Sequence, residues 1–268
     1  MLDLVFSFAI GIIIGSLSGL IPGLHINNLL PLISLFGIFH GESGLILISS
    51  MVASQLVFNF LISTFFGAAD DENNSLAALP SHKLLLSGKG MKSVVSLIYG
   101  SLLGFIFSLI LIAILFGVLK QLYMYSRNLI AYIIILVITY LILLERKLSK
   151  IFKSILIFLI SGIFGIIVLN NLNFQAEDKI LPALTGLFGI SSLITSIYTK
   201  TKIPKQDLDL KLNIKSKNIL KASIVGSIAG FIVGLLPAIG VAQGIILVSS
   251  FIKLNNPIEF LLAQGSVV

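Results

Sequence analysis

Three groups of polar side chains stand within or at the ends of otherwise apolar stretches, and their types set the chemistry open to them. His25, Asn27 and Asn28 follow Pro22-Gly23, and Gly240 and Gln243 follow Pro237. Proline lacks an N–H and disturbs the carbonyl four residues before it, so each should break a helix and free backbone groups that need a polar partner or a ligand. A helix re-forming beyond the break points its N-terminal N–H groups and positive dipole end at that partner, which suits an anion. Taken singly, His25 or Asn28 fits an interhelical hydrogen bond equally well.

The third group is acidic. Asp70-Asp71-Glu72-Asn73-Asn74-Ser75 closes an apolar run that itself carries Ser54, Gln55 and Asn59. Carboxylates with amide oxygens suit hard cations and protons, which makes Asn59, Asp70 and Asp71 candidates for contact with a substrate or with a coupling Na+ or H+. The same residues also fit a solvated loop that caps the next helix. There is no cysteine, and the three histidines (His25, His40, His82) are scattered, so neither a metal site nor any other bound cofactor is expected.

The elements that carry these residues are duplicated. Ile10-Gly11-Ile12-Ile13-Ile14-Gly15-Ser16-Leu17-Ser18-Gly19-Leu20-Ile21-Pro22-Gly23 returns without a gap as Val225-Gly226-Ser227-Ile228-Ala229-Gly230-Phe231-Ile232-Val233-Gly234-Leu235-Leu236-Pro237-Ala238. Glycine at every fourth position makes a smooth helix face on which another backbone can lie closely. Duplicated halves of transporters place a site between their copies, so Gly19, Pro22, Gly23 and Pro237 join the candidates, and the two prolines are expected to meet near mid-membrane.

Composition fixes the solvent. With 57% hydrophobic residues, 11% charged residues and a mean hydropathy of +1.09, a soluble globule would lack polar surface to cover itself. The uncharged runs 4–41, 43–69, 93–119, 128–144, 154–176, 180–199 and 222–252 are continuous rather than alternating, which indicates helices rather than a barrel. The expectation is an all-α polytopic membrane protein of about seven to nine transmembrane helices with broken or re-entrant segments, in contact with membrane lipids. Three parts are expected: 1–92 as the first repeat, 93–217 as intervening helices with basic loops, and 218–268 as the start of a second repeat. Met1-Leu2-Asp3 lacks a basic n-region, so the start reads as a first span and not a signal peptide.

The net charge of +7 is concentrated between spans, as a membrane and not nucleic acid would require. Lys and Arg at 146–153 and 200–221 place those loops in the cytoplasm, and the acidic turn Glu177-Asp178 outside. Walking backwards, 128–144 should run outward to inward and 93–119 the reverse, leaving the loop from Asp70 to Lys92 inside. The side of the N-terminus depends on whether residues 24–44 cross the bilayer.

At these residues the chain resembles the large membrane subunit of tripartite tricarboxylate transporters, and within that family the archaeal members. Gly19-Leu20-Ile21-Pro22-Gly23-Leu24 is similar to the family's first Gly/Pro motif, and Gly234-Leu235-Leu236-Pro237-Ala238-Ile239-Gly240 to a degenerate second copy. The stretch from Phe65-Phe66-Gly67 through Leu79-Pro80-Ser81-His82-Lys83 to Gly88-Lys89-Gly90 looks like the family's loop that ends in a basic Gly-Lys-Gly segment. The resemblance implies secondary transport of a small organic carboxylate, with a small membrane subunit and an extracytoplasmic solute-binding protein as partners, in the cell membrane. His25 stands where bacterial members have glycine, the loop at 67–75 is acidic, and Ala238 replaces a glycine. The second copy reaches Val268 before it has room for a loop like the one that follows Gly67 in the first, so a C-terminally truncated member or a fragment is expected.

Two other classes compete. A protein binding or translocating an anionic lipid or lipid-phosphate carrier would use the basic loop at 200–221 for headgroups. A membrane enzyme needs a clustered acid, base and nucleophile; only Asp70, Asp71 and His82 share a region, without a nucleophile, so no enzyme is expected.

Overall fold

Residues 2–20 contain nothing that interrupts a helix, and Asp3 in the first turn complements the positive end of the dipole. Ile21 precedes a proline, and such a residue is driven out of the helical region. In the computed structural model α1 accordingly runs Leu2–Leu20 and stops there. The structure describes residues 2–21, 24, 26, 29, 41–67, 72–170, 183, 185–191, 194, 197–198, 202–236 and 239–268. Among them every regular element is helical, as a polytopic membrane protein requires: α2 Gly41–Phe65, α3 Glu72–Leu86, α4 Gly90–Leu143, α5 Leu148–Leu169, a π-helical turn Thr185–Ile190, α6 Ser216–Leu235, α7 Val241–Phe251 and α8 Pro257–Val267. Five of these (α1, α2, α4, α5 and α6) are long and apolar enough to cross a membrane.

The chain divides into two compact units, Met1–Val95 with Leu184–Lys211, and Ser96–Ala183 with Leu212–Val268. In the first, α1 lies against α2 and α2 against α3. Added Cβ atoms at Gly11 and Gly15 would overlap the carbonyls of Leu47 and Met51, so the glycine face is the contact face. α3 ends in a Schellman turn: Gly88 takes φ +77°, Lys89 N–H donates to Leu84 O at 2.7 Å and Gly88 N–H to Leu85 O at 2.9 Å.

In the second unit, α6 carries the repeated glycines and packs on α8 and α7. Cβ atoms at Gly226 and Gly230 would overlap the carbonyls of Ala263 and Val267. One and the same sequence interval separates Leu47 from Ala263, Met51 from Val267, and Gly41 from Pro257, the first residues of α2 and α8. The repeat is therefore a repeat of packing as well as of sequence. At Gly19 an added Cβ would lie 2.6 Å from the Gln55 carbonyl; the same interval carries the counterpart of Gln55 past Val268, so the correspondence extends over the first two glycines of each face.

The start of α8 is tied to α6 by polar contacts. Asn256 caps the helix by accepting the Glu259 N–H at 2.9 Å, with Pro257 in the first turn. The buried Glu259 carboxylate accepts from Asn218 Nδ2 at 2.7 Å, Asn255 N at 2.8 Å and Asn256 Nδ2 at 3.2 Å, which satisfies a group otherwise costly to bury.

Contrary to the sequence expectation, runs 93–119 and 128–144 do not form a hairpin. α4 continues through both as one helix of 54 residues, roughly 81 Å at 1.5 Å per residue. Lys120 and Arg127 suggested an interhelical loop, yet no glycine or proline stands between Gly117 and Leu143, and nothing there ends a helix. The reversal of direction inferred from those two runs is absent, and the helix is longer than the ~30 Å of a hydrocarbon core.

Candidate binding site at the helix breaks

Both copies break the same way. α1 ends at Leu20 and α6 at Leu235, each two residues before its proline. Across the first break Leu24 N–H donates to Ile21 O at 3.1 Å, and across the second Ile239 N–H donates to Leu236 O at 3.2 Å. The repeat aligns Ile21 with Leu236 and Leu24 with Ile239, so the backbone turns equivalently in both copies. Neither region is an uninterrupted helix.

The polar partner demanded by the first break comes from α2. Gln55, 2% exposed, donates its Nε2 to the Leu24 carbonyl at 3.0 Å. In the sequence Gln55 stands out only as a polar residue in an apolar run, and it is missing from the candidates above. The usable signal is its spacing: Gln55, Asn59 and Ser63 recur every fourth residue and share one helix face. At the second break Gly240 precedes the first residue of α7, and its N–H donates to Gln243 Oε1 at 3.0 Å. Gln243 thus makes a local capping contact.

Asn59 is 1% exposed, and neither its Nδ2 nor its Oδ1 has a hydrogen-bond partner. A buried polar group left unsatisfied costs about 1–3 kcal/mol. Ser63 differs, since its Oγ donates to the Phe60 carbonyl at 3.0 Å.

Of the sequence candidates, Gly19, Asn59, Gly240 and Gln243 are described; Gly19 and Asn59 lie in the first unit, Gly240 and Gln243 in the second. Pro22, Gly23, His25, Asn27, Asn28, Asp70, Asp71 and Pro237 lie outside the described residues, as do Glu177 and Asp178. The expected meeting of the two prolines falls there too. His82 is used structurally: its Nδ1 lies 3.1 Å from the Thr64 carbonyl, and its ring sits where a Cβ at Gly67 would be. Among the described residues no group of His, Cys, Asp or Glu could hold a metal ion.

An extended strap crosses the corner between α3 and α4. Gln206 accepts the Gly90 N–H at 2.9 Å and donates to the Leu85 carbonyl at 3.0 Å, while Asp207 N–H donates to the Gly88 carbonyl at 2.7 Å. Lys92, buried at the start of α4, pairs with Asp207 at 3.5 Å and Asp209 at 3.3 Å. The Lys211 backbone N–H bonded to Asp209, with the Lys92 ammonium beside it, holds that carboxyl below its ordinary 3.8.

Residues 5–266 match the family described as tripartite tricarboxylate transporter TctA. The chain belongs to the TctA family. It is also 34% identical over 279 aligned residues to an uncharacterized protein of Methanocaldococcus jannaschii, across 100% of this chain and 66% of that protein. The chain thus spans just under two thirds of the length of that relative. No solved structure matches it. TctA is a transporter family and not an enzyme family, and this member, with its apolar helices, is a multi-pass membrane protein.

Proposed function

We propose that this chain forms the substrate-handling membrane part of a tripartite carboxylate permease, receiving a small organic carboxylate at the broken helices. The observation that carries this reading is the equivalent pair of breaks, each spanned by the same backbone bond before a proline. Broken helices in duplicated halves are how transporters expose backbone groups to a ligand inside a bilayer. Gln55 satisfies the Leu24 carbonyl at the first break, and Asn59 one turn along α2 offers an unused amide. Membership of the TctA family supports the same substrate class. On this reading the protein resides in the cell membrane, is driven by a coupling Na+ or H+, and works with a small membrane subunit and an extracytoplasmic solute-binding protein.

Thermal unfolding of the purified chain with succinate, citrate and a prenyl phosphate tests the reading. A ligand that binds only the folded state stabilises it, by about 2.7 kcal/mol at one hundred times its Kd. A carboxylate should raise the melting temperature. A rise with the prenyl phosphate alone would overturn the proposal.

A further inference from the structure

Gln55, Asn59 and Ser63 form one buried stripe on α2, and only the middle member leaves both hydrogen-bonding atoms of its side chain unused. That amide presents one kind of donor and one kind of acceptor side by side. A carboxylate offers acceptors alone, so it would satisfy Nδ2 while setting a negative oxygen against Oδ1. A protonated carboxyl satisfies both, its carbonyl accepting from Nδ2 and its O–H donating to Oδ1. Exchanging the amide's N and O merely turns the pair over.

Among the described residues, the surrounding charges do not favour an anion at this point. The charged or titratable group on α2 itself is Glu42 in its first turn, roughly 25 Å along the helix from Asn59. On the elements against α2 they are Asp3 of α1, Glu72, His82 and Lys83 of α3, and Lys92 at the start of α4, where Ser93 meets Thr64. His82 is bonded to Thr64, and Lys92 is engaged by Asp207 and Asp209. None of them is a hydrogen-bond partner of Asn59.

Building on the carboxylate reading above, we infer that Asn59 receives one carboxyl group of the substrate in its neutral, protonated form. The proton is taken from water on the entry side and travels on the substrate itself, so no protein carboxylate has to carry it at this position. The inference concerns one carboxyl; other carboxyls of a di- or triacid remain ionised elsewhere.

The test is equilibrium binding of succinate and citrate to the full chain as a function of pH, for wild type and Asn59→Leu. Wild-type affinity should rise as pH falls, approaching tenfold per pH unit between the pKa of that carboxyl in free solution and its higher pKa when bound. Asn59→Leu should melt no lower than wild type, bind more than tenfold more weakly per folded molecule, and lose the pH slope. A wild-type affinity that is flat or rises with pH overturns the inference whether or not the variant folds. So does a variant that binds with wild-type affinity and slope while melting lower, the behaviour of an amide that holds only structural water. If wild type binds neither acid at any pH, the carboxylate reading fails and takes the inference with it; if wild type binds both without the slope, only the inference falls.

Discussion

Gln55 and Leu24, distant in sequence, are joined by a 3.0 Å hydrogen bond from the Gln55 side-chain amide to the Leu24 carbonyl. That carbonyl lies just past the point where α1 stops, at a helix break within an otherwise apolar run. Gln55→Leu removes the donor and leaves the carbonyl unpaired. It should destabilise the protein by about 1–3 kcal/mol, read from the melting temperature of the purified variant. An unchanged melting temperature would mean that another donor takes over.

The two glycine faces should respond alike. Gly15→Leu forces a side chain into the Met51 backbone and should lower stability by more than about 1–3 kcal/mol, as overpacking a tight contact does. Gly226→Leu forces a side chain into the Ala263 backbone and should cost a similar amount. An unchanged melting temperature for either variant would contradict the described packing.

The strap depends on ionised carboxylates. Asp209 has a depressed pKa, so its contribution is fully present above the ordinary 3.8 and is lost as pH falls through the lower folded value. Hydrogen exchange of the Lys211 amide, which donates to the Asp209 carboxylate, corrected for intrinsic rate, should show protection at neutral pH that disappears only below the ordinary carboxylate range. Protection already lost at neutral pH would contradict the described contacts.

Contact between the strap and the α3–α4 corner places residues 88–92 and 205–209 together, so both lie on one side of the membrane, the side that the Lys/Arg bias of 200–221 alone assigns to the cytoplasm. The chain contains no cysteine, so Lys89→Cys and Lys205→Cys report cleanly. Both should resist an impermeant thiol reagent in intact cells and react after lysis. Labelling of one and not the other in intact cells would overturn the shared side.

The helix breaks were legible because proline acts locally, and the glycine faces because a four-residue period survives in sequence. The partner surfaces were not: Leu47 and Met51 carry no mark that their carbonyls touch Gly11 and Gly15. In α4 the charges Lys120 and Arg127 outweighed the absence of any breaker, although charge alone does not end a helix. The strap reads in sequence as a basic loop, while its fixed point is the acidic pair Asp207 and Asp209 reaching Lys92, far earlier in the chain.

The central claim is that the two helix breaks bind carboxylate. Its most direct test is equilibrium binding of labelled citrate and succinate to the purified chain and to a Pro22→Ala, Pro237→Ala double variant, normalised to folded protein. Restoring continuous helices should remove binding of the acid that wild type holds. Undiminished affinity in the double variant would contradict the account.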